Sequence, residues 1–365
     1  MRTGWQFNEI YLWHDTQTFN QFFRPGLQVQ PGEHAEHPET KRRFRNLLDV
    51  SGLLEQLTPI KASVAPDEAL RRFHTPQYLD QLRLLSAGEG GEISPSTPMG
   101  PGSFDIAALA AGGAIAAVDA VLDGDVDNAY ALLRPPGHHA LADQAMGFCL
   151  LGNGAIAVHH ARAVRGLERV AVVDWDVHHG NGTQSAFYRD PGVLTLSIHQ
   201  DSLFPVGSGA LDEVGEGAGQ GFNINVPLPP GSGDGAYLAV MQHVVRPALV
   251  RFAPELIVVS CGFDASAMDP LGHMMLSSES YRQMTRSVLD TAQACGHGRV
   301  VMLHEGGYSA PYVPYCGQAV VEALSGVETV VEDPWLGDIP HYGGQSLQPH
   351  QSSVIESVCL AHRLG

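Results

Sequence analysis

Asp174, Asp176 and His178 follow an apolar, β-branched run at 169–173, with His179 and Asn181 close behind. Side chains alternate along an extended backbone, so Asp174, Asp176 and His178 share one side if extension continues past the strand. A carboxylate oxygen and an imidazole nitrogen two residues apart then close on one cation. Asp264, in the run Cys261-Gly262-Phe263-Asp264, supplies a further oxygen. Two carboxylates and a neutral imidazole balance a divalent cation in charge. Asp176, His178 and Asp264 thus make a three-ligand set with an open position, as in a catalytic zinc site. Donor types alone fit Zn²⁺, Fe²⁺, Co²⁺ or Mn²⁺.

The tandem His138-His139 lies behind Arg134-Pro135-Pro136-Gly137. A pair of imidazoles in a rigid turn suits general acid–base work. Asp174 is placed to orient one ring and Asn181 the other. A carboxylate raises the basicity of its histidine, whereas an amide only fixes its orientation. Tyr308 follows Gly306-Gly307, where glycine lets the backbone approach a ligand closely. A phenol there donates to a carbonyl oxygen opposite the metal, which is an oxyanion-hole role. Asp264 as a cap for the following segment and Tyr308 as an ordinary half-buried tyrosine are the structural alternatives.

These residues need a scaffold that delivers them together. Apolar runs at 129–133, 169–173, 193–199, 256–261 and 299–303 alternate with helix-like stretches at 38–51, 76–86, 103–122, 152–164, 236–252, 278–295 and 311–324. The alternation predicts an α/β fold with a mostly parallel sheet and helices on both faces. Four polar clusters each follow a strand: His138-His139, the Asp174 group, Asp264, and Glu305 to Tyr308. In an open parallel sheet, ligands bind beyond the carboxyl ends of the strands. Loops are expected at 19–36, 88–102, 200–221 and 331–351, the third of them as an ordered wall of the site.

The chain has 365 residues, 44% of them hydrophobic, enough for a large core. No repeat or linker divides it, which predicts one domain over 1–365. A formal charge of −18 disfavours nucleic acid and attracts cationic partners at long range. Five scattered cysteines without a CxxC pair predict reduced thiols in a cytoplasmic protein. The N-terminus has no apolar signal core, and no uninterrupted apolar run reaches membrane-spanning length, so no membrane role is expected.

Arg134-Pro135-Pro136-Gly137-His138-His139, Gly147-Phe148-Cys149, Asp174 to Thr183, Gly262-Phe263-Asp264-Ala265 with Asp269-Pro270-Leu271, and Glu305-Gly306-Gly307-Tyr308 together resemble the zinc-dependent histone deacetylase family. The likeness is to its class II-like branch and bacterial histone deacetylase-like amidohydrolases, and is strongest over 37–324. It implies the arginase/deacetylase fold, with a central sheet of about eight strands. It implies zinc on Asp176, His178 and Asp264, and metal-activated water attacking an acyl amide with His139 as base. His139 or His138 then protonates the leaving amine, and Tyr308 stabilises the oxyanion. Gly147, Phe148, Phe204 and Leu271, with Gly307 beside Tyr308, match positions of the channel around an acyl-lysine stem. The resemblance also implies structural monovalent cations, usually potassium. One uses Asp174, Ser197 and carbonyls of Asp176, His178 and Ile198; the other uses carbonyls near Phe187, Asp190, Val193 and Phe222.

Three places depart from the family pattern. Asn181 stands where class I relatives have an acid. Leu151-Gly152-Asn153 replaces a frequent Phe-Asn-Asn. Ser96 lies near the place of a rim aspartate that clamps substrate backbone in many relatives. The 19–36 segment matches no motif, and either narrows the rim or joins subunits of a homo-oligomer. The reading is an acyl-lysine deacylase acting on proteins or peptides. The alternatives are an acetylpolyamine amidohydrolase, a non-catalytic acyl-lysine binding module and an arginase-type hydrolase. The last needs two metals and a longer acidic ligand set. Leu271, neutral where polyamine-selective relatives can carry an acid, favours acyl-lysine.

Overall fold

The computed structural model describes residues 1–364. Eight parallel strands form one sheet: β1 (Thr3–Gln6), β2 (Thr58–Ile60), β3 (Asn128–Ala131), β4 (Val170–Asp174), β5 (Val193–Gln200), β6 (Asn223–Leu228), β7 (Leu256–Cys261) and β8 (Val300–His304). Their spatial order is β6-β5-β4-β7-β8-β3-β1-β2. The five expected strands are present within one or two residues of their expected ends; β1, β2 and β6 are additional.

β4, β7, β8 and β3 are contiguous at the centre of the sheet. Those are the four strands whose ends carry the polar clusters. Register brings the ends level, since Asp174 pairs with Ser260, Cys261 with His304, and Leu303 with Ala131. Strands buried on both faces read as continuous apolar runs rather than alternating ones, and every residue of β4, β7 and β8 is buried.

Helices cover both faces, as the two large apolar clusters show. One face carries Glu39–Val50, Ser278–Ala294 and Val313–Ser325, with Phe44 wedged among Trp5, Tyr130 and Phe263. Truncating such an aromatic costs about 3–5 kcal/mol, so Phe44 pins the helix that also carries Lys41. The other face carries Ser103–Leu122 and Asn153–Ala163. By length and composition Ser103–Leu122 is long and apolar enough to cross a membrane, although Asp105 and Asp119 interrupt its apolar run. Here its alanine-rich surface lies against the sheet, with Ala110, Ala114 and Val118 fully buried.

The expected helix at 236–252 is broken into Asp234–Val240, a π turn at Met241–Val245 and Arg246–Phe252. Pro247 has no backbone N–H to donate, and the local hydrogen bonding widens around it. Asn181–Phe187 and Pro349–His362 are helices that the periodicity did not show. The 88–102 loop contains an antiparallel hairpin, Gly91–Ser94 with Thr97–Met99.

Candidate metal-dependent active site

The strand ends at Asp174, so the ligand run is not extended beyond it. Side-chain-to-backbone bonds hold the run instead. Asp174 Oδ1 accepts from the Asp176 amide at 3.0 Å, and Asp176 Oδ1 accepts from the His178 amide at 2.9 Å. Such bonds two residues on are the way aspartate stabilises a turn. The alternation in direction survives. Trp175 and Val177 point into the core, and Asp174, Asp176 and His178 point to the site.

Asp176, His178 and Asp264 each offer one ligand atom, all within 4.8 Å of one another. One oxygen of each carboxylate is pinned by backbone: Asp176 Oδ2 accepts from the Gly306 amide and Asp264 Oδ1 from the Val177 amide, both at 2.8 Å. The other oxygens converge on His178 Nδ1, Asp176 Oδ1 (which also accepts from the His178 amide) at 3.0 Å and Asp264 Oδ2 at 3.2 Å. Burial opposes a charged ring at His178, but hydrogen bonds to both carboxylates raise it to about 10. A divalent cation answers the same field. Glycine is required around the ligands: a Cβ on Gly262 would lie 2.3 Å from Asp176 Oδ2, and one on Gly306 would lie 2.1 Å from Asp264 Oδ2. The donor set, its burial and its open side fit a single divalent cation.

His138 and His139 stand beside this triad, ring centroids 3.9 Å apart. His138 Nδ1 lies 2.9 Å from Asp174 Oδ2, and His139 Nδ1 lies 2.7 Å from Asn181 Oδ1. The sequence suggests one ring for Asp174 and the other for Asn181; the structure sets His138 beside Asp174 and His139 beside Asn181. Burial disfavours both charged rings. At His138 the carboxylates of Asp176 and Asp174 overcome it and hold the ring charged. At His139 no carboxylate is in contact, and His138 and His178 push the ring further toward neutrality. The turn is fixed by Glu305, whose Oε2 accepts from the Gly137 amide at 2.7 Å and the His138 amide at 3.1 Å.

A cavity of about 430 Å³ opens above these groups. His139, His178 and Tyr308 form its floor, and Gly147, Phe148, Phe204 and Leu271 its walls. A Cβ on Gly147 would lie 2.3 Å from His139 Cδ2, so that wall closes directly on His139. Phe148 holds a left-handed backbone, φ +69°, uncommon for a bulky residue and a mark of a constrained site. Its ring edges onto Tyr308 at 5.9 Å. Gly307 does not line the cavity. It is buried behind Tyr308 at φ +122°, against Phe263 and Val313, and turns the backbone so that Tyr308 faces inward. Asp269 accepts from the Tyr308 amide at 2.7 Å and from the Leu271 amide at 2.9 Å.

Several further residues line the cavity, of which the sequence singles out only Ser96 and Pro270 by name. Phe22, Pro95, Ser96, Leu203, Pro270 and His273 complete the mouth. Phe22 comes from the 19–36 segment, which is fastened to the hairpin: Ser96 Oγ donates to the Phe22 carbonyl at 2.9 Å, and the Ser96 carbonyl lies 3.0 Å from His34 Nε2. Ser96 is therefore occupied in holding this segment. Glu305 lay inside a quoted motif, but nothing local announced its two amide partners.

The residues grouped by the cation expectation also gather in space. Asp174 and Ser197 are cross-strand neighbours, with Ile198 next in β5. Asp190 donates its amide to the Phe187 carbonyl at 2.9 Å, Val193 to Asp190 at 3.3 Å, and Thr195 to Phe222 at 2.9 Å.

Residues 34–324 match the histone deacetylase domain. The chain belongs to the histone deacetylase family. It is 54% identical over 336 residues to a histone deacetylase-like amidohydrolase of Pseudomonas aeruginosa, covering 91% of this chain and 88% of the relative. It is 38% identical over 344 residues to a probable deacetylase of Archaeoglobus fulgidus, covering 92% and 89%. The crystal structure of the HDA15 HD domain superposes with a TM-score of 0.86 at 32% identity, over 99% of this chain and 94% of that one. The arginase/deacetylase fold and metal-dependent amide hydrolysis are therefore those of this deacetylase.

Proposed function

We propose that this deacetylase removes acetyl or other acyl groups from N-acyl-lysine in proteins or peptides, with zinc held by Asp176, His178 and Asp264. The observation that carries the substrate reading is the cavity: its walls are Phe22, Phe148, Leu203, Phe204 and Leu271, and no carboxylate side chain lines it among the described residues. An acyl-lysine stem is a neutral methylene chain and suits such walls. A cationic acylpolyamine would find no counter-charge there.

When bound, the divalent cation would supply Lewis-acid polarisation of the amide carbonyl and a more acidic water. The residues do the rest. His139, kept neutral by burial and oriented by Asn181, takes the proton of the attacking water through Nε2. His138, held charged by Asp176 and Asp174 and hydrogen-bonded to Asp174, carries the proton for the leaving amine. The Tyr308 hydroxyl donates to the developing oxyanion, and burial keeps that phenol protonated. The apolar walls exclude bulk water and strengthen these contacts.

Asp174, Ser197 and the Asp176, His178 and Ile198 carbonyls are assigned to a structural potassium ion, and Phe187, Asp190, Val193 and Phe222 to a second monovalent cation. The proximity of each set supports this. Five free thiols support a reducing, cytoplasmic setting. Turnover of acetyl-lysine peptides against N-acetylputrescine tests the substrate. The reading requires kcat/KM to favour the peptide, and a clear preference for the polyamine overturns it.

A further inference from the structure

Of the 21 cationic residues in this chain, only Lys41 and Lys61 are lysines. Lys61 is exposed. Lys41 is 1% exposed, on the helix Glu39–Val50 whose arginines 42 and 43 pair with Glu39 at the surface. A buried ammonium is costly unless it is paired. Lys41 Nζ is ion-paired with Glu36 Oε1 at 3.0 Å and has no other polar partner among the described residues. The same Glu36 oxygen accepts from Arg134 Nε at 3.0 Å. Arg134 also donates to the carbonyls of Tyr11 and His14, at 3.1 and 2.7 Å.

One carboxylate between two cations leaves a positive charge in excess. The neighbouring histidines add none. Burial first, then Arg134, lowers His14 to about 3, and burial with the Lys41 charge holds His304 neutral. The excess charge sits under an aromatic face: Lys41 Nζ is 5.9 Å from the centroid of the Tyr308 ring.

We infer that Lys41 is a positioning residue for the reaction, its ammonium polarising the Tyr308 ring from below and strengthening the phenol as a hydrogen-bond donor. The inference rests on the reading of Tyr308 as the oxyanion donor. A compact point charge suits this place under one ring, where a planar guanidinium stacks and forks instead. That accounts for a lysine here in a chain that otherwise uses arginine almost throughout.

A double-substitution cycle on the zinc-loaded enzyme tests it, with an acetyl-lysine peptide as substrate. Lys41→Met is expected to lower kcat about three- to thirtyfold, the range of a cation–aromatic contact, with KM within about twofold. In a Tyr308→Phe background the same substitution is expected to change kcat by less than about twofold, because the hydroxyl it acts on is gone. Equal losses in both backgrounds would show a structural role and overturn the inference. A Tyr308→Phe enzyme with near-normal turnover would instead remove Tyr308 from the mechanism, and Lys41 with it. Should Lys41→Met fail to fold, ¹³C-lysine labelling of the Lys61→Arg protein reports Lys41 alone. Its signal is expected to move when Tyr308→Phe is introduced, and an unmoved signal overturns the inference.

Discussion

His139 is oriented by an amide, its Nδ1 2.7 Å from Oδ1 of Asn181. This contact leaves the ring without a charged partner, so burial and the neighbouring His138 and His178 keep its pKa well below the ordinary histidine value. Such a base is free of its proton at neutral pH. Asn181→Asp supplies a carboxylate, favours the imidazolium and raises that pKa by about one unit or more. Because the base works only when unprotonated, the acidic limb of kcat/KM is expected to move to higher pH by the same amount. A pH–rate profile measures this, and an unmoved limb would mean that His139 is not the group titrating there.

Gly306 touches both metal-binding carboxylates. A methyl group in its place meets Asp264 Oδ2 at 2.1 Å and Asp176 Oδ2 at 2.6 Å. Gly306→Ala is expected to weaken metal affinity about ten- to a hundredfold, as for other supports of a metal site, with the thermal midpoint much less affected. Metal-buffer titration followed by melting curves separates the two effects. Unchanged affinity would show that the carboxylates do not need the present cradle.

Tyr308→Phe removes one donor and keeps the ring against Phe148. Turnover is expected to fall about a hundred- to a thousandfold with KM little changed, the usual loss for an oxyanion donor. Steady-state kinetics on an acetyl-lysine peptide decides. A loss confined to KM would make the tyrosine a binding group.

The ligand run, the histidine pair and their partners were legible because each lies within a few residues of an apolar strand end, and the sheet brings those ends level. That Asp174 and Asn181 would each hold one ring followed from chemistry; which ring each holds is visible only in the fold. β1, β2 and β6 were not legible. β1 and β2 are only four and three residues long, Pro59 interrupts β2, and β6 opens with Asn223 and contains Asn225 and Pro227, so none shows an apolar run. Glu305, Glu36 and Phe22 were missed for a different reason. Glu305 and Glu36 are fixed by partners 168 and 98 residues away, and Phe22 by one 74 residues away, distances over which local patterning carries nothing.

Leu271 sits on the cavity wall where an acid would face a cationic substrate. Leu271→Glu places a charge at a largely apolar mouth. We expect kcat/KM for N-acetylputrescine to rise about tenfold relative to that for an acetyl-lysine peptide. Competition between the two substrates gives the ratio directly, and no change would place selectivity elsewhere on the rim.

The most direct measurement is metal content together with turnover for the native chain and for Asp264→Ala, after chelation and stepwise return of zinc. One equivalent of zinc is expected to restore deacetylation to the native chain, while Asp264→Ala retains little metal and little activity. Full turnover after chelation, or an Asp264→Ala protein that binds zinc as tightly as the native one, would contradict the assignment of Asp176, His178 and Asp264 as the catalytic metal site.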